Sequence, residues 1–292
     1  MTQTHERAAS DITYEPTEAD VAEYRERGYW ISPKLIDDDH IARLRDALDR
    51  LFKGEIDGVG GYFDPKLNNF EGALAMRRVV NAWWVNDEVR DLVLDPGMGR
   101  ICARLMGVEG ARLWSDQVLS KPGGGKQNVT VEGNVGWHQD HSYWRISSTT
   151  NMITAWVALQ DTDLSNGGMR TIVGSNKWGE VEGSDGFYDK DLDSLRARFE
   201  SKAKTAWLDE PCILKAGQAS FHHALTFHAS ETNRTDAPRM SVVGHYMPDG
   251  TTFKPCGKQQ THLRLLGPRP KAGQRFDGPV FPLVYPTREA GF

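Results

Sequence analysis

Cysteine is scarce in this 292-residue chain: Cys102, Cys212 and Cys256 are the only three, and no C-x-x-C pair occurs. That scarcity excludes a disulfide framework and a zinc knuckle, and it suits a reducing compartment. Long apolar runs are missing too. No stretch of about 18 apolar residues is present, so no membrane-spanning helix is expected. The opening MTQTHERAASDITYEP is polar, without the apolar core of an export signal, so a cytoplasmic location is expected. Neither sign of charge dominates: 35 Lys and Arg against 40 Asp and Glu leave −5. So mild a balance argues against a protein built to hold nucleic acid or an anionic membrane. No internal repeat marks the chain as an array.

What is present has a clear order. Residues 1–14 read as a disordered polar tail, and 15–292 as a single domain. Thr17 is placed to cap a short helix that Gly28 ends, and YWIS follows as a strand. In IDDDHIARLRDALDRLF, Ile41, Leu44, Leu48 and Leu51 recur at spacings of three and four, the stripe of an amphipathic helix. A third helical region covers about residues 86–107, punctuated by Pro96, Gly97 and Gly99. From about residue 111 to 247 the pattern becomes short runs rich in Val, Ile, Thr and aromatics between Gly, Asn and Asp clusters, as in a β-sandwich or barrel. In NMITAWVALQD, Ile153, Ala155, Val157 and Leu159 share one face; Thr154, Trp156 and Gln160 share the other, which suits a partly polar cavity. The glycine-bearing stretches 54–75 and 121–136, and the Pro/Gly-rich chain after 248, read as loops or lids.

The chemistry begins at GNVGWHQDHSYWRI. His138 and Asp140 stand at i and i+2, so on extended backbone both project to one face and can offer an imidazole nitrogen and a carboxylate oxygen to one ion. Alone, such a pair is more often a hydrogen-bonded histidine beside a solvated aspartate. FHHALTFHASETNRTDAPRMSVVGHYM alters the balance. His228 follows His138 by 90 residues (228 − 138), enough chain to go round a barrel and return, and Arg239 follows His228 by 11 (239 − 228). A guanidinium fixed there can hold a carboxylate bidentately. His222 and His223 compete for the place of third ligand. His245 shares strand parity with Arg239, Ser241 and Val243 and can line the same cavity. Two histidines and one carboxylate form the facial triad of non-haem iron(II) oxygenases, which leaves three positions open. KPGGGKQ lacks the spacing of a phosphate loop. The basic stretch HLRLLGPRPKAGQR, residues 262–275, reads as a solvated face that can also meet an anionic substrate.

Taken in order, WHQDHSYW, TAWVALQDTDLSNGGMRTIVGSNKWG and FHASETNRTDAPR resemble the phytanoyl-CoA dioxygenase family of Fe(II)- and 2-oxoglutarate-dependent oxygenases. EYRERGYWISPKLIDDDHIARLRDALDRLF is similar to that family's opening, so the likeness covers nearly the whole chain. The resemblance implies a mainly β fold: a double-stranded β-helix (jelly roll, cupin-like) flanked by N-terminal α-helices. It implies His138, Asp140 and His228 as iron ligands, with Arg239 and Ser230 on the distal carboxylate of 2-oxoglutarate. Trp156 and Gln117 fall where the family has further cosubstrate contacts; as residues alone they read equally well as a core ring and a satisfied strand amide.

The implied cofactors are Fe(II), 2-oxoglutarate and O2, with succinate and CO2 as co-products of oxidising a C–H bond, by default hydroxylation. Because Asp140 is present, the chloride site of related halogenases is not expected. Cyclisation, desaturation and epimerisation stay open, as do a non-catalytic jelly-roll binder and a cupin-type isomerase or zinc hydrolase. The expected partner is a small organic metabolite, with no nucleic acid and no membrane, acted on by a monomer or homodimer. Trp137, Tyr143, Trp144 and Phe221 would suit a bulky or apolar substrate, or equally a jelly-roll core.

Overall fold

The computed structural model describes residues 12–58, 76–125, 132–257 and 261–286. Thr17 caps α1 (Glu18–Arg27): its hydroxyl accepts from Asp20 N, and the Asp20 carboxylate accepts from Thr17 N (2.7 Å). Both bonds satisfy amide hydrogens that a helix start otherwise leaves unpaired. Gly28 ends α1 in the left-handed conformation, which residues with a Cβ adopt at a cost. β1 (Tyr29–Ile31) follows, then α2 (Asp38–Leu51), whose Ile41, Leu44, Leu48 and Leu51 are all buried. Truncating one such leucine to alanine costs about 2–5 kcal/mol. The third helical region is two helices, α3 (Asp87–Val93) and α4 (Pro96–Met106). Pro96, in the first turn, needs no amide hydrogen there, and Asp95 caps it by accepting from Gly97 N (2.7 Å).

The described residues form eleven strands, eight of them in the expected β region, and every pairing between named strands is antiparallel. They are β1, β2 (Arg77–Val80), β3 (Ala111–Lys121), β4 (Val135–His138), β5 (Ile153–Ala158), β6 (Met169–Ile172), β7 (Asp209–Pro211), β8 (Ala219–His223), β9 (His228–Ser230), β10 (Arg239–Pro248) and β11 (Leu283–Tyr285). The major sheet runs β1-β8-β5-β10-β3-β11, with β2 also on β3; the minor sheet runs β4-β9-β6-β7. The two curl into the jelly roll. Ile153, Ala155, Val157 and Leu159 join the core under α1–α4, and Trp156 joins Leu119, Val243 and Met169 between the sheets. The alternation read from β5 is therefore the boundary between helix layer and cavity.

Two segments depart from expectation. Within the all-β region, α5 (Leu192–Glu200) is capped by Asp191 and buries Leu195 and Phe199 against the outer side of the minor sheet. In the tail read as loops, Phe276, Phe281 and Val284 are fully buried, and β11 pairs with β3. Of the expected tail, residues 1–11 lie outside the described residues, whereas Ile12 is buried and Tyr14 stacks on Trp30 (5.8 Å between ring centroids). Most of the two expected lids, 59–75 and 126–131, lies outside them too. Among the described residues no helix is long and apolar enough to cross a membrane.

One buried acid makes stability depend on pH. Asp116 on β3 is fully buried and receives Trp83 N (3.4 Å) on Oδ1, while Oδ2 has no partner; burial pushes its pKa up to about 8. The folded state therefore keeps a proton that the unfolded chain has released above its ordinary pKa near 3.8. Across that window this group lowers stability by about 1.4 kcal/mol per pH unit, and the stabilisation is lost as pH rises through the folded value. Asp116→Asn mimics the neutral acid. Urea denaturation is expected to show wild type losing more stability than Asp116→Asn between pH 5.5 and 8; parallel losses would refute the assignment.

Candidate metal centre

β4 and β9 are neighbours in the minor sheet, and their register sets His138 beside His228. A separation of 90 positions (228 − 138) thus brings the second histidine back to the first. Gln139 is extended (φ −108°, ψ 130°), so Asp140, first residue of the 3-10 turn Asp140–Tyr143, falls on the same side as His138. Among the described residues, His138, Asp140 and His228 form the group able to hold a metal: one ligand atom from each lies within 4.8 Å of the others, and all three residues are buried. Asp140 Oδ1 is 3.5 Å from His138 Nε2 and 3.7 Å from His228 Nε2.

The rings are aimed by the backbone. His138 Nδ1 lies 2.7 Å from Gly136 O and His228 Nδ1 3.0 Å from Thr226 O. A carbonyl only accepts, so each Nδ1 carries a proton, and each Nε2 points toward Asp140 Oδ1, the orientation in which it could ligate an ion. Gly136 is required for another reason: a Cβ there would lie 2.1 Å from Gly186 O, where the 179–191 segment closes on β4. Electrostatics agree with a ligand role. Burial would raise Asp140, but the imidazoles of His228, His138 and His222 outweigh it and hold the carboxyl well below its usual range. Burial, with His138 and His222 close by, keeps His228 well below an ordinary histidine. An ionised carboxylate and neutral imidazoles are what a cation binds.

Of the competing histidines, His222 is in the cavity and His223 is not. His222 Nε2 lies 3.3 Å from Asp140 Oδ2, the oxygen that the other two imidazoles do not face, and its ring packs on that of His228 (4.4 Å between centroids). His223 faces the helices, accepts Leu225 N at Nδ1 (3.0 Å), and is lowered to about 4 by burial. His245 lines the cavity with Arg239 and Val243, as strand parity suggested.

Arg239 opens β10 and is 3% exposed, yet no carboxylate among the described residues pairs with it. Its Nη2 donates to Gly167 O (2.9 Å), its Nη1 to Ser241 Oγ (3.3 Å), its Nε has no partner, and its plane lies over the Trp156 ring (5.0 Å). Burial lowers its pKa to about 10, so it is still a cation at neutral pH. Gly167 belongs to the Asn-Gly-Gly run; its left-handed φ of 75° turns that carbonyl onto the guanidinium. A buried cation met only by neutral oxygens and a ring keeps unspent capacity to attract an anion.

Ser230 lies in the same cavity wall, but its first partner is one that sequence reasoning missed: Lys121, 1% exposed, donates Nζ to Ser230 Oγ (2.7 Å) and to Glu231 O. With Oγ accepting from the ammonium, the Ser230 proton is free to be given to an anion. Burial and then Arg239, directly across the strand pair, hold Lys121 well below its usual pKa. Gln117 also lines the cavity, with Nε2 2.9 Å from His245 Nε2 and Oε1 unpartnered. A second chamber of about 200 Å³ opens on the other side of Asp140, walled by Tyr143, Trp144, Phe187 and Tyr188, with Arg78 and Arg264. Phe187 touches His138 edge-on (5.1 Å) and lines both chambers. Arg264 comes from the basic stretch 262–275, which is thus a chamber wall as well as a solvated face.

A jelly roll that encloses two imidazoles, one carboxylate and a buried unpaired guanidinium has the fold and donor set of the non-haem iron oxygenases. The family profile described as phytanoyl-CoA dioxygenase matches residues 24–241, and the chain belongs to that family. Peroxisomal phytanoyl-CoA dioxygenase of Rattus norvegicus is 22% identical over 244 residues, 76% of this chain and 66% of that protein. The chain therefore spans just under two thirds of the length of that relative. Among solved structures, the non-heme alpha ketoglutarate dependent carbocyclase SnoK from nogalamycin biosynthesis superposes with a TM-score of 0.71 at 25% identity, covering 94% of this chain and 99% of SnoK. The epimerase SnoN, in complex with Fe3+, alpha ketoglutarate and nogalamycin RO, gives 0.68 at 26% identity, covering 91% and 98%.

Proposed function

We propose that this chain is an Fe(II)- and 2-oxoglutarate-dependent dioxygenase that oxidises a C–H bond of a small organic metabolite, by default hydroxylating it, with succinate and CO2 as co-products. One observation carries the reading: three ligand atoms within 4.8 Å of one another share a cavity with a buried arginine that lacks an anionic partner. A metal site alone would suit a hydrolase or isomerase; a metal site with an anion anchor calls for a chelating acid.

His138 Nε2, His228 Nε2 and Asp140 Oδ1 would hold the iron. Arg239, with the free proton of Ser230, would take the distal carboxylate of the oxo acid in a cavity where charge attraction is little screened. Trp156 supplies a flat wall under the guanidinium, and Gln117 sits between the two chambers. Bound iron and oxo acid would supply the oxidising power. The chain's own work is placement: Phe187 and Tyr143 cover His138, water is kept from the buried ligands, and the aromatic chamber sets which C–H bond comes near. Ring closure or epimerisation are alternative outcomes of the same oxidation, favoured by the likeness to SnoK and SnoN. All groups come from one chain, so a monomer suffices, and three free thiols suit the cytoplasm.

Anaerobic calorimetry tests the reading. Fe(II) and 2-oxoglutarate are expected to raise each other's affinity at least about tenfold, because the acid would bind both the metal and Arg239. Independent binding of the two, or no binding of 2-oxoglutarate, would favour a jelly-roll binder of another ligand.

A further inference from the structure

We infer that Thr154 and His245 are positioning residues for the metal-binding carboxylate: a one-way hydrogen-bond chain from Gln117 through His245 and Thr154 fixes Asp140 as a ligand through one oxygen only. The inference rests on the proposed metal role of Asp140. Its two oxygens have separate surroundings. Oδ1 faces His138 Nε2 and His228 Nε2, whereas Oδ2 receives Thr154 Oγ1 (2.6 Å) and His222 Nε2 (3.3 Å).

The direction of each link follows from donor arithmetic. A carboxylate only accepts, so the single hydroxyl hydrogen of Thr154 goes to Asp140. The same oxygen lies 2.8 Å from His245 Nδ1 and must accept there, so Nδ1 carries a proton. In a neutral ring Nε2 is then an acceptor, and what faces it at 2.9 Å is the amide nitrogen of Gln117, a donor. Burial lowers His245 to about 4, which agrees with a neutral ring at pH 7. Thr154 and His245 are cross-strand partners on β5 and β10, and Trp144 packs edge-on against the imidazole (4.8 Å). Side chains on three strands of the major sheet thus hold the oxygen that faces them and leave Oδ1 toward the two histidines of the minor sheet.

The consequence is geometric. A cation seeking both carboxylate oxygens would have to break the 2.6 Å bond from Thr154, charge-assisted and buried. Binding through Oδ1 alone keeps a coordination position free for the cosubstrates. Gln117, expected from the family likeness to touch the cosubstrate, already has one of its two amide hydrogens engaged as the first link.

Co(II), redox-inert and with a coordination-sensitive visible spectrum, is the probe. Thr154→Val and His245→Phe keep bulk but break the chain; both are expected to weaken Co(II) binding about 10- to 100-fold, as loss of a ligand's outer partner does, and to change the spectrum. Thr154→Ser and His245→Asn, which retain a hydroxyl and a donor near Nδ1, are expected to stay within about threefold of wild type. A packing role would spare Thr154→Val and His245→Phe or damage His245→Asn as much as His245→Phe; either result overturns the inference. Wild-type protein that fails to bind Co(II) would instead overturn the metal reading beneath it.

Discussion

Asp140→Ala is expected to abolish Fe(II)-dependent succinate formation and to weaken metal binding by more than the roughly 10- to 100-fold that loss of an outer partner costs. The carboxylate is the only anion in the ligand cluster, and it is what offsets the cost of bringing a divalent cation into a buried site. Without it two neutral imidazoles remain. His138→Ala and His228→Ala are expected to behave alike, whereas His222→Ala, on the Oδ2 side, should keep a measurable share of activity. All four variants should stay folded, since among these side chains the one hydrogen bond at risk is that between His222 and Asp140. Succinate followed by NMR, with metal content read in parallel, is the measurement. Turnover surviving in Asp140→Ala would contradict the ligand assignment outright, and His222→Ala matching His228→Ala would move the third ligand.

Arg239→Ala is expected to raise the 2-oxoglutarate requirement by roughly two to three orders of magnitude while leaving metal affinity near wild type. The estimate follows from truncating one partner of a buried, hydrogen-bonded ion pair, about 3–5 kcal/mol. Arg239→Lys should recover only part of the loss. The guanidinium is held flat by Trp156 beneath it and by Gly167 O and Ser241 Oγ at its edge, whereas an ammonium is a point charge on a flexible stem. Activity untouched in Arg239→Ala would remove the oxo acid from the chemistry and turn the reading toward an isomerase or hydrolase.

The ligand set was legible because its logic is local: i and i+2 on extended backbone, then a histidine two residues before a serine and eleven before an arginine. So were α1 and α2, whose caps and apolar stripe are written within single turns. Lys121 was not legible. It ends a strand just before PGGG, where a cation reads as the start of a solvated loop, and its partner Ser230 is 109 residues away. Thr154 lay on the correct face of its strand, yet nothing in NMITAWVALQD shows that its hydroxyl meets a carboxylate from another sheet. α5 left a faint mark: Asp191 before Leu195 and Phe199, a cap and one i, i+4 apolar pair, too little to stand out inside a long β pattern.

Lys121 and Arg239 occupy directly opposed positions on β3 and β10, two basic side chains side by side in a dry interior. Opposed like charges destabilise a strand pair, and the fold lessens that cost by favouring the neutral amine of Lys121. An anion bound between the sheets, as the proposed function requires, would favour the protonated amine again and so would stabilise the fold.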